Sequence, residues 1–518
     1  MCSADRLASA AGIGLLRAGG SAADAAIGAG AVLAVTAPHL CGLGGDLFAM
    51  VHRAPTGIAT GGRPSVLNAS GRAGSGADPA ELRREGHTAM PWRGDIRSVT
   101  VPGCVDGWLA LHARFGALAL ADVLAPAISC AIDGFPASPL LVGALPDLAG
   151  TEGADALFGG APPGRAGEAV RRRGVARCLE AIAAGGRDGF YAGPAGTGLI
   201  ELGGGLFTDD DLERAQATWV DPVTVRAWGH DIWSAPANSQ GYLTLLGAAI
   251  AAGLDLPEDW GDPAWAHLLV ESARLAGHDR PATLYDGADV APLLGAGEVA
   301  ARRRAIDPDR RAALAWHPHA GGTTVVVAVD RAGTGVSLIQ SNAAGFGAHL
   351  MVPGVGIGLH NRGIGFSLVP GHPAELAPGR RPPHTLAPAI VTRTDGSLRA
   401  VLGTMGGDSQ PQVLVQVLCR LLRHGASAAG AIAAPRWVIR AASGRGFETW
   451  DDAAAAVVAV EDSAWARWAD GLAARGHEVA PGARPGAFGH AQLVVVDDDG
   501  TMTGAADPRA VVGAALGY

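Results

Sequence analysis

The chain is 518 residues long, 48% hydrophobic and only 17% charged, a balance that gives a core-rich globular protein and excludes a disordered one. Its formal net charge is −9, every basic residue is arginine, and no basic cluster is interleaved with aromatics, which excludes nucleic acid as a partner. The length suggests about three domains, although one large layered α/β unit also fits.

The six cysteines (Cys2, Cys41, Cys104, Cys130, Cys178 and Cys419) are scattered, with neither a CxxC pair nor metal-ligand spacing, so a reduced, cytoplasmic protein is expected. His317 and His319 form an isolated HxH; without a further nearby ligand no metal and no cofactor is expected. The longest apolar run, Ala25 to Ala37, is too short to span a bilayer and ends at Pro38, so no membrane partner is expected. The first residues open directly into an amphipathic helix, without the pattern of a secretory leader. Arg171-Arg172-Arg173 and Arg302-Arg303-Arg304 read as solvated helix faces.

In chain order, Asp5 or Ser3 caps a helix running to about Arg17, and Gly19-Gly20 stops it. Ser21 caps a second, more apolar helix that contains Asp24 and ends near Pro38. The loop Cys41-Gly42-Leu43-Gly44-Gly45-Asp46 then feeds a strand over Leu47 to Val51. It is not a phosphate cradle, because it lacks the lysine and precedes a strand where such a motif opens a helix. A strand follows near Ser65 to Ala69, with helices over Cys104 to Arg114 and Leu118 to Ile132 and a helical region to about Thr218. Ile232 to Ala235 reads as a strand, Tyr242 to Ala252 as a buried helix and Glu271 to His278 as part of another. Asp286 to Ala320 is polar, arginine-rich and irregular, the character of an exposed, cleavable linker.

Three hairpins follow: Thr323 to Val329 turning at Asp330–Gly333 into Gly335 to Gln340; Ala389 to Thr394 turning at Asp395-Gly396 into Leu398 to Leu402; and His490 to Val496 turning at Asp498–Gly500 into Met502 to Ala505. Helices at about Gln410 to Arg423, Ser427 to Ala433 and Ser463 to Arg475 separate them. Hairpins alternating with helices imply stacked antiparallel sheets covered by helices on both sides.

The entry to the first hairpin is unusual: Gly321-Gly322 leads into Thr323-Thr324 at the start of a buried strand. One reading is simply a strand start. The other is that the Thr323 hydroxyl attacks the carbonyl of Gly322, whose lack of a side chain leaves that bond open. Once the bond is cut, the new α-amine serves as general base for the same hydroxyl.

Several separate segments resemble the γ-glutamyltransferase family, N-terminal nucleophile hydrolases made as one chain and self-cleaved into two subunits. They are Leu7–Ser9 with Leu15–Ala26, Pro38-His39 through Gly45, Val101–Gly103 with Gly107, Asp133–Phe135, and Gly504–Arg509 ending in Gly517-Tyr518. The most specific is Thr323-Thr324 followed by Gly333, Val336-Ser337, Ser341, Asn342 and Phe346-Gly347, the family's processing signature with one position deleted. The resemblance implies an α/β fold, a four-layer αββα sandwich built from a large subunit, residues 1–322, and a small one, 323–518, paired as a heterodimer. It makes Thr323 the nucleophile, Gly322–Thr323 the cleavage site, Ser341 and Asn342 the polar groups around it, and Gly406-Gly407 the pair whose N–H groups hold the oxyanion.

The family's glutamyl clamp is altered. Its carboxylate-binding arginine falls at Ser70, with Arg72 two residues on; its ammonium-binding aspartate falls at Gly365; and a paired serine contact falls at His384-Thr385. Arg72 and Arg362 suggest that an anionic group is still bound, and His384 and Thr385 offer a neutral or titratable contact. Losing the anchor for a buried ammonium costs recognition of α-amino acids. The expected function is therefore hydrolysis of a small acyl or amide substrate other than γ-glutamyl. The alternatives are an ordinary γ-glutamyltransferase or glutathione hydrolase, a C–C bond hydrolase of an actinobacterial biosynthetic pathway, and a non-catalytic binding protein.

Overall fold

The β-branched run Thr324–Val329 pairs antiparallel with Gly335–Ser341, and every residue of both strands is buried, a pattern that requires cover on both faces. This computed structural model describes residues 1–53, 62–314, 324–441, 449–450, 456–482 and 485–518. The hairpin lies in a seven-stranded antiparallel sheet ordered 514–515, 2–3, 324–329, 335–341, 46–52, 65–69, 218–220. A second antiparallel sheet of six strands is ordered 502–506, 492–496, 398–403, 389–392, 230–234, 223–227.

Strand alternation sorts the side chains into three layers of core. Phe48, Met50, Val325, Val327 and Ile339 meet Leu386, Ile390, Val401 and Val494 between the two sheets. The opposite face of the first sheet, with Leu47, Val326 and Leu338, is covered by helices that include Arg6–Arg17, Ala22–Thr36 and Leu120–Asp133. The outer face of the second, with Val391, Leu402 and Leu493, is covered by Gly241–Ala251, Pro263–Gly277, Gln410–Leu418 and Asp462–Ala474. The result is the four-layer helix–sheet–sheet–helix sandwich. Local signals start the first helices as expected: the Asp5 carboxylate accepts from Leu7 N, and Ser21 and Asp24 form a reciprocal capping box. No helix among the described residues is long and apolar enough to cross a membrane.

Arg171, Arg173 and Arg304 are exposed as expected, but the other members of the two arginine triplets differ from the expected solvated faces. Arg172 is buried and donates to the carbonyls of Ala34 and Val35, at the end of the Ala22–Thr36 helix. Arg303 donates to Ala249 and Ile250 O, and Arg302 to Leu275 O and to the Asp279 carboxylate. A helix leaves its last carbonyls without intrahelical partners and its C-terminal end partially negative, and a guanidinium fork from a neighbouring segment satisfies both. The segment expected to be irregular accordingly contains a helix, Ala296–Arg304. A small third sheet of Trp437–Arg440, Val457–Val460 and Glu478–Pro481 was not anticipated. Gly321, Gly322, Thr323, His317 and His319 lie outside the described residues.

Candidate active site

Ser341 ends its strand directly opposite Asp46, one rung beyond the Gln340–Thr324 pair. Its parity matches Ile339 and Ser337, the latter donating across to Leu402 O at 3.0 Å, and Asp46 matches Phe48. Ser341 and Asp46 therefore face the layer between the sheets, at the end where the Thr324 strand begins. The Ser341 hydroxyl accepts from Ala343 N at 2.9 Å. Asn342 is held between Pro38 O, which accepts from its Nδ2 at 3.1 Å, and Leu40 O, which accepts from its N at 3.0 Å. Its Oδ1 is buried without a hydrogen-bond partner among the described residues. The glycine loop explains itself here: a Cβ on Gly45 would lie 2.4 Å from Ser341 O, and one on Gly44 would lie 2.4 Å from Gly358 O. Only glycine lets that backbone pass so close.

From the second sheet, Gly403 packs at this same end; a Cβ there would sit 2.6 Å from a Val325 methyl. The chain then turns through Gly406 and Gly407, both at positive φ (132° and 60°), into the helix Gln410–Leu418. Gly406 O accepts from Ser409, and Gly407 O accepts from Gln240 Nε2 at 2.9 Å. The N–H groups of Gly406 and Gly407 donate to no described residue. Gln240 Nε2 also donates to Thr385 O at 3.0 Å, so one amide ties the glycine turn to the 384–385 segment.

Asp46 is the hub of the polar cluster. Its Oδ1 accepts from Gly71 N at 2.9 Å and Gly103 N at 3.4 Å; its Oδ2 accepts from His384 Nε2 at 3.1 Å and lies 3.6 Å from His360 Nδ1. Burial pushes the carboxyl up, but His360, His384 and the Gly71 N–H outweigh it, and Asp46 stays below the ordinary aspartate value. Burial, reinforced by Arg362, drives His384 down to about 3, so the ring is neutral. Arg362 is wholly buried; desolvation lowers its guanidinium to about 10, Arg280 adds to that, and Asp46 and Asp408 resist it. Arg280 in turn lies 3.6 Å from Asp408. Arg362 thus sits in the field of two carboxylates, one on each side of the site.

The structure brings Ser341, Asn342, Arg362, His384, Thr385 and Gly406-Gly407 to one end of the sandwich. Arg72 is used elsewhere: its Nη1 donates to Ala215 O and Gln216 Oε1, both at 3.4 Å. Of the neutral and titratable contacts expected of His384, the ring is neutral, and both its nitrogens are engaged internally, Nε2 by Asp46 and Nδ1 by Leu386 N. Thr385 Oγ1, by contrast, is buried and unpartnered among the described residues. Sequence reasoning assigned no role to Asp46, His360, Gln240, Arg280 or Asp408, which the structure draws into this cluster. The available signal for Asp46 was a carboxylate opening an otherwise apolar buried strand. Among the described residues one His/Glu cluster has metal-ligand types, His267, Glu271 and His477. Its polar atoms are already hydrogen-bonded: His267 Nδ1 to His477 Nε2 at 2.8 Å, His267 Nε2 to Asp307 O at 2.8 Å, and Glu271 to Arg274 and Ala312 N. It anchors the segment before residue 315 and is not at the candidate site.

Residues 8–517 match the family profile described as gamma-glutamyltranspeptidase. The glutathione hydrolase-like YwrD proenzyme of Bacillus subtilis is 35% identical over 526 residues, covering 99% of this chain and 97% of its own. The oxamate amidohydrolase proenzyme of Klebsiella pneumoniae is 33% identical, with coverage of 99% and 97%. Among solved structures, a cephalosporin acylase from Bacillus halodurans matches with a TM-score of 0.86 and 31% identity, over 98% of this chain and 94% of that one. With the profile matched along almost its whole length, and a sandwich shared with an acylase, this chain belongs to the gamma-glutamyltranspeptidase family, as a hydrolase of the N-terminal nucleophile type.

Proposed function

We propose that the chain is cut between Gly322 and Thr323 into subunits 1–322 and 323–518 that remain paired, and that Thr323 then carries an acyl-enzyme in the hydrolysis of a non-γ-glutamyl amide. Covalent connectivity puts Thr323 one Cα step, about 3.8 Å, from Thr324. Ser341 stands one rung beyond the Gln340–Thr324 pair. Its hydroxyl attacks the acyl carbon while its α-amine takes the proton and passes it to the leaving nitrogen. Ser341 orients the hydroxyl, and Asn342 Oδ1 accepts an N–H from the amine or the substrate amide. The observation that carries this reading is the pair of Gly406 and Gly407 N–H groups, which donate to no described residue and lie at the same sandwich end as Ser341. Such preorganised donors stabilise an oxyanion.

The choice of acyl group follows from the clamp. Gly365 offers no carboxylate, and a Cβ there would lie 2.6 Å from Pro383 O. Ser70 Oγ donates to Asn68 Oδ1 and accepts from Asn238 Nδ2. A substrate ammonium therefore lacks the family's anchor, whereas the positive charge of Arg362 and the unpartnered Thr385 Oγ1 favour a carboxylate or carbonyl. Relatives named oxamate amidohydrolase and cephalosporin acylase support a substrate of this kind, a dicarboxylic monoamide or an acylated β-lactam nucleus. Six unpaired cysteines support a reducing, cytoplasmic setting.

Purified protein is expected to run as two bands under denaturing conditions, with Thr323 the first residue of the smaller, and Thr323→Ala as one. The mature enzyme is expected to favour a glutaryl anilide over the γ-glutamyl anilide. A γ-glutamyl preference of tenfold or more in kcat/KM, about 1.4 kcal/mol, would return the chain to ordinary γ-glutamyl transfer. An active wild-type enzyme that stays one chain would overturn the processing step.

A further inference from the structure

The chemistry at Thr323 needs a water, and the groups described so far do not position one. Three buried side chains the mechanism has not used lie at the same end of the sandwich as Asn342 and Gly406. Both ring nitrogens of His39, both of His490 and both amide atoms of Gln492 are buried with no hydrogen-bond partner among the described residues. The three residues are 6%, 3% and 0% exposed. Protein interiors pair such atoms almost without exception, and a bound water with about two to four polar partners is the usual solution where no side chain serves.

Their placement is specific. Gln492 pairs with Gly403, whose Cβ position touches Val325, and it shares the inter-sheet parity of Val494. Ala491 packs on the helix side, which leaves His490 on the same face as Gln492. Gly489, next to His490, approaches the oxyanion turn: its Cα lies 3.7 Å from the Cβ position of Gly406. His39 lies in the Pro38–Leu40 turn that holds Asn342, and its ring packs on Phe346 with centroids 6.1 Å apart. Burial, with His490 adding to it, holds His39 near 3, and burial holds His490 near 4. Both imidazoles are neutral, and each offers one N–H and one lone pair. Of the charged cluster, Asp46 stands on strand 46–52 and Arg362 and Asp408 on the short helical turns 362–365 and 407–409, while Gln492 stands on strand 492–496 beside 398–403.

We propose that His39 and His490, with Gln492, hold the water that hydrolyses the ester on Thr323 Oγ, an inference that rests on Thr323 being the nucleophile. The same ester arises twice. In maturation the Gly322 carbonyl carbon moves from Thr323 N to Thr323 Oγ, which frees the α-amine; in turnover the substrate acyl group occupies that oxygen. In both, the water oxygen bonds to the acyl carbon and the C–Oγ bond breaks. The water's proton passes through the α-amine to Oγ, leaving a carboxylic acid and the free threonine. The imidazoles and the amide are positioning residues: they orient the water and keep their own charge.

Maturation supplies a test that needs no substrate. The full-length precursors of wild type, His39→Leu, His490→Leu and Gln492→Leu are followed from one band to two, with and without hydroxylamine, a nucleophile that attacks an ester without a positioned water. The leucine variants are expected to split about tenfold or more slowly in buffer, and hydroxylamine to restore near-wild-type rates, releasing Gly322 as its hydroxamate by mass. His490→Gln, which keeps a donor and an acceptor, is expected to recover much of the rate in buffer. Wild-type rates in all three leucine variants, or slowness that hydroxylamine does not relieve in any of them, would overturn the water site. A wild type that splits in neither condition would instead overturn Thr323 as the nucleophile.

Discussion

At the residue scale, burial holds four histidines neutral: His39, His384 and His477 down to about 3 and His490 to about 4, with desolvation the first cause in each. An unfolded histidine binds its proton near 6.5, so below that pH the unfolded state takes up protons the folded state refuses. The stability these groups contribute is complete above about pH 6.5 and is lost as pH falls toward 4. By pH 5.5 each is expected to cost roughly 1.4 kcal/mol, about 6 kcal/mol for the four as an upper bound. Denaturant unfolding at pH 7.5 and 5.5 measures it, and equal stabilities at the two would refute the assignment. Asp46 behaves differently: its depressed value keeps its contribution intact until the pH reaches the acid range. The residue scale is also where the sequence was least legible. The roles proposed for Thr323, Ser341 and Gly406-Gly407 come from a pattern of motifs. Asp46 was visible only as an odd carboxylate at the head of a strand, because its partner His384 lies 338 residues away. Nothing local to either residue records that contact.

Elements were legible where their signals are local. Asp5, the Ser21–Asp24 box and the Asp395-Gly396 turn each mark an end with their own side chains, and the helices and hairpins they bound fall where expected. Edge strands and the arginine contacts were not, because Cys2–Ser3 pairs with 514–515 and Arg303 reaches carbonyls 53 and 54 positions away. The glycine loop lies between these cases: its composition was plain, its purpose visible only once Ser341 lies against it. Gly45→Ala is expected to destabilise the fold by about 1–3 kcal/mol and to slow self-cleavage, since its Cβ would stand 2.4 Å from Ser341 O. Gly14→Ala, on a helix with nothing within 4 Å of the new Cβ, is the control and is expected to be neutral or stabilising by up to about 1 kcal/mol. A Gly45→Ala protein that processes and melts like the control would show that the close approach does not position Ser341.

Across the whole molecule, both sheets take strands from each side of the proposed cut. In the first, strand 324–329 sits between 2–3 and 335–341, and 46–52 pairs with 335–341; in the second, 230–234 pairs with 389–392. The segment before residue 315 is fastened to the second half as well, with Arg311 N donating to Arg475 O at 2.8 Å and Arg475 Nε to Pro308 O at 3.0 Å. Neither half can leave without opening both sheets and the core between them, so cleavage is expected to yield two chains that elute as one particle and unfold in one transition. What cleavage does change is the unfolded state. Two separate chains must find each other again, so the denaturation midpoint of the processed protein is expected to rise with protein concentration. The Thr323→Ala precursor, with its halves still joined, is expected to show no such dependence. A processed protein whose midpoint is independent of concentration, or whose halves melt separately, would mean that each half folds on its own, which the shared sheets do not permit.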